Sequence, residues 1–178
     1  YKVASKTTKD WTYRWIMEPR AFRHNTWMPH FFKKGNNSSP EDLLRTEQET
    51  LAMTEYLFEK SSEYDMEANK NKGDPANGEL LVSSLGCLGC HQIQPEPDPD
   101  YEPSLQNLRL EQGPNLIGVG SKTDREWLFN WLKNPYTYHP GTKMPNLRLT
   151  DQEASDIASY LLANKNDEFD ATPVPQVD

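Results

Sequence analysis

Apolar residues recur at helical spacing in three stretches of the second half of the chain, and nowhere do they gather into a long run. Trp127, Leu128, Trp131 and Leu132 stand at i, i+1, i+4 and i+5, which places them on one face of a helix predicted over Asp124 to Lys133. Ile157, Tyr160 and Leu161 form the stripe of an amphipathic helix that ends near Asn164. Gly78, Leu81, Val82 and Leu85 form another, in a helix whose start is signalled by Gly73-Asp74-Pro75. The polar residues punctuate in agreement. Thr123-x-x-Glu126 and Thr150-x-x-Glu153 have the form of capping boxes, and Asn134-Pro135 closes the first helix. A stripe of this kind is by itself ordinary core. The longest apolar runs are only a few residues, as at Leu80 to Val82, too short for a membrane span.

Composition adds a deficit. Of 178 residues, 35% are apolar and mean hydropathy is -0.89, against about 45–50% apolar, glycine included, in an average soluble domain. Small domains with so little apolar material rely on a metal, a disulfide or a cofactor. Two cysteines exclude a disulfide-dense scaffold. Charge is uneven: residues 1–63 carry a net +1 and residues 64–178 a net -9. An acidic half argues against nucleic-acid binding and suits either plain solubility or docking to a basic protein. No charged leader with an apolar stretch precedes Tyr1, as in a mature form, a fragment, or a protein that needs none.

Both cysteines lie in one pentapeptide, Cys87-Leu88-Gly89-Cys90-His91. Two thiols three apart and a histidine directly after them form the attachment pattern for c-type haem, in which one turn of chain delivers three bonds to one macrocycle. A redox dithiol or half of a zinc site are the competing readings, but no second cysteine pair exists to complete a zinc site. Downstream follow Gly113-Pro114-Asn115-Leu116, then Gly141-Thr142-Lys143-Met144-Pro145-Asn146, then the last amphipathic helix.

In this order of motifs, residues 75–166 resemble a class I c-type cytochrome domain. The resemblance implies an all-α, cytochrome c-like helical fold wrapped round one haem c held covalently by Cys87 and Cys90. It implies His91 and Met144 as axial iron ligands, with the carbonyl of Pro114 holding the His91 imidazole by its other nitrogen. A thioether is a soft donor suited to ferrous iron, and the flanking glycine and proline constrain the Met144 loop. His139 is the rival for the same position.

The first half repeats the second from its middle. Trp11, Trp15, Pro19, Thr26, Met28 and Pro29 match Trp127, Trp131, Pro135, Thr142, Met144 and Pro145 at a constant spacing of 116. The register extends back through Val3, Ser5, Lys6 and Thr7. After a 12-residue insertion rich in Lys, Asn, Ser and Gly, Thr46-Glu47-Gln48-Glu49 and Tyr56-Leu57 match Thr150-Asp151-Gln152-Glu153 and Tyr160-Leu161 at a spacing of 104. Residues 1–63 therefore read as a partial or degenerate cytochrome c-like domain lacking its own C-x-x-C-H, as in diheme cytochrome c subunits. Its motif would fall at position -29. The missing half is then absent from these residues, carried by another chain, or lost, leaving a haem-free cap. Ten of the 19 aromatics lie here and need a haem, a chain or a domain to cover them. Met28 is the candidate distal ligand of a second haem.

Residues 64–74 are polar and read as a linker. Gln92 to Gln112 form an acidic, proline-rich loop, and residues 167–178 an acidic, proline-containing tail expected to be disordered. With His91 and Met144 filling both axial positions, one-electron transfer is the expected function and enzymatic activation of substrate is not. The expected partners are redox proteins of a respiratory chain, among them a chain that completes residues 1–63, and no nucleic acid. Covalent haem attachment implies a periplasmic or otherwise exported location, compatible with association with a membrane complex. Two other readings remain open at this level: a peroxidase-type haem enzyme with a labile Met144, and a structural subunit.

Overall fold

The computed structural model describes residues 2–23, 26–35, 38–93 and 113–175, and every regular element among them is helical. In chain order the α-helices are α1 (Lys9–Met17), α2 (Pro19–Phe22), α3 (Pro40–Glu59), α4 (Pro75–Ser84), α5 (Val119–Lys122), α6 (Arg125–Lys133), α7 (Pro135–Tyr138), α8 (Asp151–Ala163) and α9 (Asp167–Asp170). Short 3-10 turns occupy Val3–Ser5 and Cys87–Gly89. The chain divides into two units, one formed by Tyr1–Glu63 with Asn166–Asp178 and the other by Tyr64–Lys165. No helix of the described residues is long and apolar enough to cross a membrane.

In the unit Tyr64–Lys165, the three longer helices α4, α6 and α8 start where a side chain replaces a missing intrahelical acceptor. Asp74 accepts from the Ala76 N–H at 3.0 Å to open α4, and Pro75 sits in the first turn, where its absent N–H loses nothing. The box at Thr150 and Glu153 forms as the sequence predicts and opens α8. The box at Thr123 and Glu126 does not. Asp124 caps α6 instead, accepting from the Trp127 N–H at 2.8 Å, while the Glu126 carboxylate accepts from the Asn69 N–H at 2.6 Å.

Helices α4 and α6 both pack on α8, burying Val82, Trp127, Leu128, Leu132, Ile157 and Leu161 in one core. A β-carbon at Gly78 would overlap the carbonyl of Asp156, so α4 approaches α8 as closely as its missing side chain permits. Asp156 ties the crossing. Its carboxylate, 2% exposed, accepts from the Asp74 N–H, the Asn77 amide and the Gln152 amide, each at 2.7 Å.

Residues 64–74 are not a free linker. The side-chain amide of Asn130 bonds both ways with the Glu67 backbone at 2.8 Å, and the Tyr64 hydroxyl meets the Thr137 hydroxyl at 2.8 Å. This strap packs within the unit Tyr64–Lys165.

The unit Tyr1–Glu63 with Asn166–Asp178 repeats part of that plan. Helices α1 and α2 fall 116 positions before α6 and α7 at every boundary. Trp11 stacks on Trp15 at 5.2 Å and 14°, as Trp127 does on Trp131 at 5.3 Å and 13°. Phe22 meets Trp11 edge-on at 5.2 Å, as Tyr138 meets Trp127 at 5.2 Å. Helix α3 starts earlier than its repeat: Ser39 and Asp42 form a capping box, so Thr46 lies inside the helix and part of the insertion is helical. The tail expected to be disordered is ordered through α9. Phe169 is buried against Trp11 and Phe22, and Arg14 donates to the Thr172 carbonyl at 2.7 Å. The reason is the aromatic cluster of α1 and α2, which needs a fourth ring to close it.

Candidate functional site

Helix α4 ends where the chemistry begins. Leu85 closes its last turn, and Gly86 takes a left-handed conformation, with φ at +84°, that turns the chain out of the helix. The turn Cys87–Gly89 follows at once, with the His91 N–H donating to the Cys87 carbonyl at 2.9 Å. The two thiols and the imidazole are thereby held in one compact loop. Neither cysteine is in a disulfide. Cys90 is exposed, while Cys87 is half-buried against the core, and burial pushes its thiol pKa up.

Nδ1 of His91 lies 2.8 Å from the carbonyl oxygen of Pro114. A carbonyl only accepts, so this contact places the ring proton on Nδ1 and leaves Nε2 with its lone pair free for a metal. Gly113 makes the approach possible, since a β-carbon there would overlap the His91 ring and the Cys90 carbonyl. Two further backbone bonds, Gly113 N–H to Cys90 O at 2.8 Å and Leu116 N–H to Gln92 O at 2.7 Å, pin this segment to the motif.

Met144 packs on the same core as Cys87. Its backbone N–H donates to the Thr142 hydroxyl at 3.2 Å, and its sulfur accepts from the Trp131 indole N–H at 2.9 Å. The rival, His139, is exposed. In the other unit, Met28 is held in the same manner as Met144: its N–H donates to the Thr26 hydroxyl at 3.1 Å, and it too is half-buried. No group of three or more His, Cys, Asp or Glu among the described residues forms a metal cluster. Sequence reasoning did not find Trp131 as a partner of Met144. It read the residue only as part of an apolar face. The acidic loop lies, in residues 94–112, outside the described residues.

The family model for cytochrome c matches residues 75–165, half of the chain. The chain belongs to the cytochrome c family. Its relatives include cytochrome c of Ginkgo biloba, 31% identical over 100 residues that cover 50% of this cytochrome and 87% of that one. Cytochrome c2 of Rhodomicrobium vannielii is 29% identical over 99 residues, covering 50% and 78%. Among solved structures, SoxXA from P. pantotrophus aligns at 21% identity with a TM-score of 0.45, covering 56% of this cytochrome and 89% of that chain. Membership makes this an all-α, class I c-type cytochrome with covalently bound haem c and an electron-transfer role. The residues present fit that group: two thiols outside any disulfide, and an imidazole whose Nδ1 is held by the Pro114 carbonyl.

Proposed function

We propose that this cytochrome is a one-electron carrier whose iron would be held by His91 and Met144. The observation that carries the reading is the 2.8 Å contact between His91 Nδ1 and the Pro114 carbonyl, directly beside the two free thiols. When bound, haem supplies a Fe(III)/Fe(II) couple, with methionine ligation favouring the ferrous state.

The chain's own residues do the rest. Cys87 and Cys90 would anchor the macrocycle by thioethers, which would prevent its loss. Pro114 fixes the tautomer and orientation of His91 and raises the basicity of its ligating nitrogen. Thr142 and Trp131 hold Met144 from its backbone and its sulfur. A methionine anchored at both ends argues for a closed iron and against the peroxidase-type reading, which needs a labile ligand. Helix α8, packed against α4, keeps the geometry rigid, so little reorganisation accompanies electron transfer.

Attachment of haem to C-x-x-C-H is carried out beyond the cytoplasm, which supports an exported, periplasmic location. The acidic half of the chain, net -9 over residues 64–178, supports redox protein partners with basic faces within a respiratory chain. Resonance Raman and optical spectra of the holoprotein test the ligand set. Low-spin six-coordinate iron in both oxidation states is expected, and a five-coordinate ferric or ferrous form refutes it.

A further inference from the structure

Helix α3 repeats α8 at a spacing of 104, yet the two helices are covered differently. In the unit Tyr64–Lys165, α4 crosses α8 at Gly78, against Asp156 and Tyr160, and Gly73 just before α4 lies against Ser155 and Ser159, with Ile157 and Leu161 buried beside the crossing. The corresponding face of α3 is Leu51, Ala52, Glu55 and Tyr56, flanked by Met53 and Leu57. Tyr56 is 61% exposed, Leu57 40% and Met53 38%, and Ala52 is open to solvent. The opposite side of α3 is closed. Thr46, Thr50 and Thr54 are buried, each hydroxyl donating to the carbonyl four residues back at 2.9 Å, and α1 packs on this helix as α6 packs on α8. Among the described residues, one face of α3 thus packs on α1, while the other shows exposed apolar side chains, with the Lys60 ammonium 5.9 Å from the Tyr56 ring centroid.

We propose that this face, Ala52, Met53, Tyr56 and Leu57, is the seat of a helix equivalent to α4 that runs into its own C-x-x-C-H. The occupant is polypeptide preceding Tyr1 in the same chain. The repeat itself identifies it: the same chain shows what covers the matching face of α8, and in that unit the attachment helix and the helices after it are one continuous polypeptide. From Val3 to Pro29 the register holds without a gap, so the segment before Val3 corresponds to the one that carries α4 and the haem motif before Val119. The remaining parts of a haem site are in place. The Trp11, Trp15 and Phe22 cluster reproduces the Trp127, Trp131 and Tyr138 cluster ring for ring, and Met28 is tethered to Thr26 as Met144 is to Thr142. Trp27, beside Met28 and 96% exposed, and Phe31 are apolar surface left for such a half-domain to cover. Ala52 stands where α8 has Asp156, so the seated helix takes no carboxylate clamp. It needs a small residue at the crossing, as Gly78 is, and a cap of its own.

The role given to Met28 rests on the reading of Met144 as a ligand, whereas the docking face does not. The test uses the native protein with whatever precedes Tyr1, a photo-crosslinking residue at Met53, and mass spectrometry of haem-bearing peptides. Two haem peptides per polypeptide are expected, one containing Cys87 to His91, with the crosslink falling on a peptide immediately before the other C-x-x-C-H. The double variant Met53→Lys, Leu57→Lys is expected to retain the haem on Cys87 and Cys90 and lose the other. A single haem peptide per polypeptide, a crosslink to a different chain, or full retention of two haems by the double variant overturns the proposal. Absence of haem from the Cys87–His91 peptide instead refutes the function proposed above, so the two failures are distinguishable.

Discussion

The indole N–H of Trp131 donates to the sulfur of Met144 across 2.9 Å. A donor on a thioether withdraws electron density from it, which makes the sulfur a poorer donor to ferric iron and favours the reduced state. Trp131→Phe keeps the ring and removes the bond. A hydrogen bond of about 1 kcal/mol corresponds to about 40 mV for a one-electron couple. Voltammetry of the variant holoprotein is expected to show a midpoint lowered by that order.

Asp156 contributes to the acid sensitivity of its unit. Burial alone would raise its pKa, but the bonds from Asn77, the Asp74 backbone and Gln152 outweigh it and hold the carboxyl below its ordinary value. A folded-state pKa below the unfolded one means that the stabilisation is complete above the ordinary carboxylate range, near about pH 4, and is lost as pH falls through the folded value. Asp156→Asn removes one acceptor from the clamp. It is expected to destabilise the unit by about 1–3 kcal/mol at neutral pH and to flatten the acid limb of a stability–pH curve measured by denaturant unfolding.

Gly78 sets how closely the attachment helix lies on α8. Gly78→Val puts a branched side chain into the Asp156 carbonyl and the Tyr160 β-carbon, and overpacking of this kind costs about 1–3 kcal/mol. Chemical denaturation is expected to register the loss, and haem retention at elevated temperature to fall with it.

Much of this was legible in the sequence, and what was not has identifiable causes. That Cys87, Cys90 and His91 share one compact loop follows from their spacing, and the cap of Thr150 with Glu153 from its motif, because these signals are local. Residues 64–74 carry no period. They are held through backbone groups by Asn130, Glu126 and Asp156, residues some sixty to eighty positions away whose polarity gives no hint of the partner. Thr123 lost the cap to Asp124 for the same reason, since Glu126 is drawn to Asn69. In the tail, one phenylalanine among acids and prolines outweighs a composition that otherwise reads as disorder.

Phe169 makes that last point testable. It closes the cluster of Trp11 and Phe22 with ring centroids 6.2 and 5.0 Å away. Phe169→Ala is expected to cost the unit about 3 kcal/mol or more. Hydrogen exchange of the α1 amides is the measurement, and their protection should fall while that of α6 is unchanged.

The account turns on Met144 as the sixth ligand of the haem on Cys87 and Cys90. The far-red absorption of the oxidised 178-residue chain, matured with haem on its single C-x-x-C-H, tests this most directly. The charge-transfer band of methionine-ligated ferric iron should be present in the parent protein and absent from Met144→Ala. A parent spectrum without the band, or a band that survives in the variant, contradicts it.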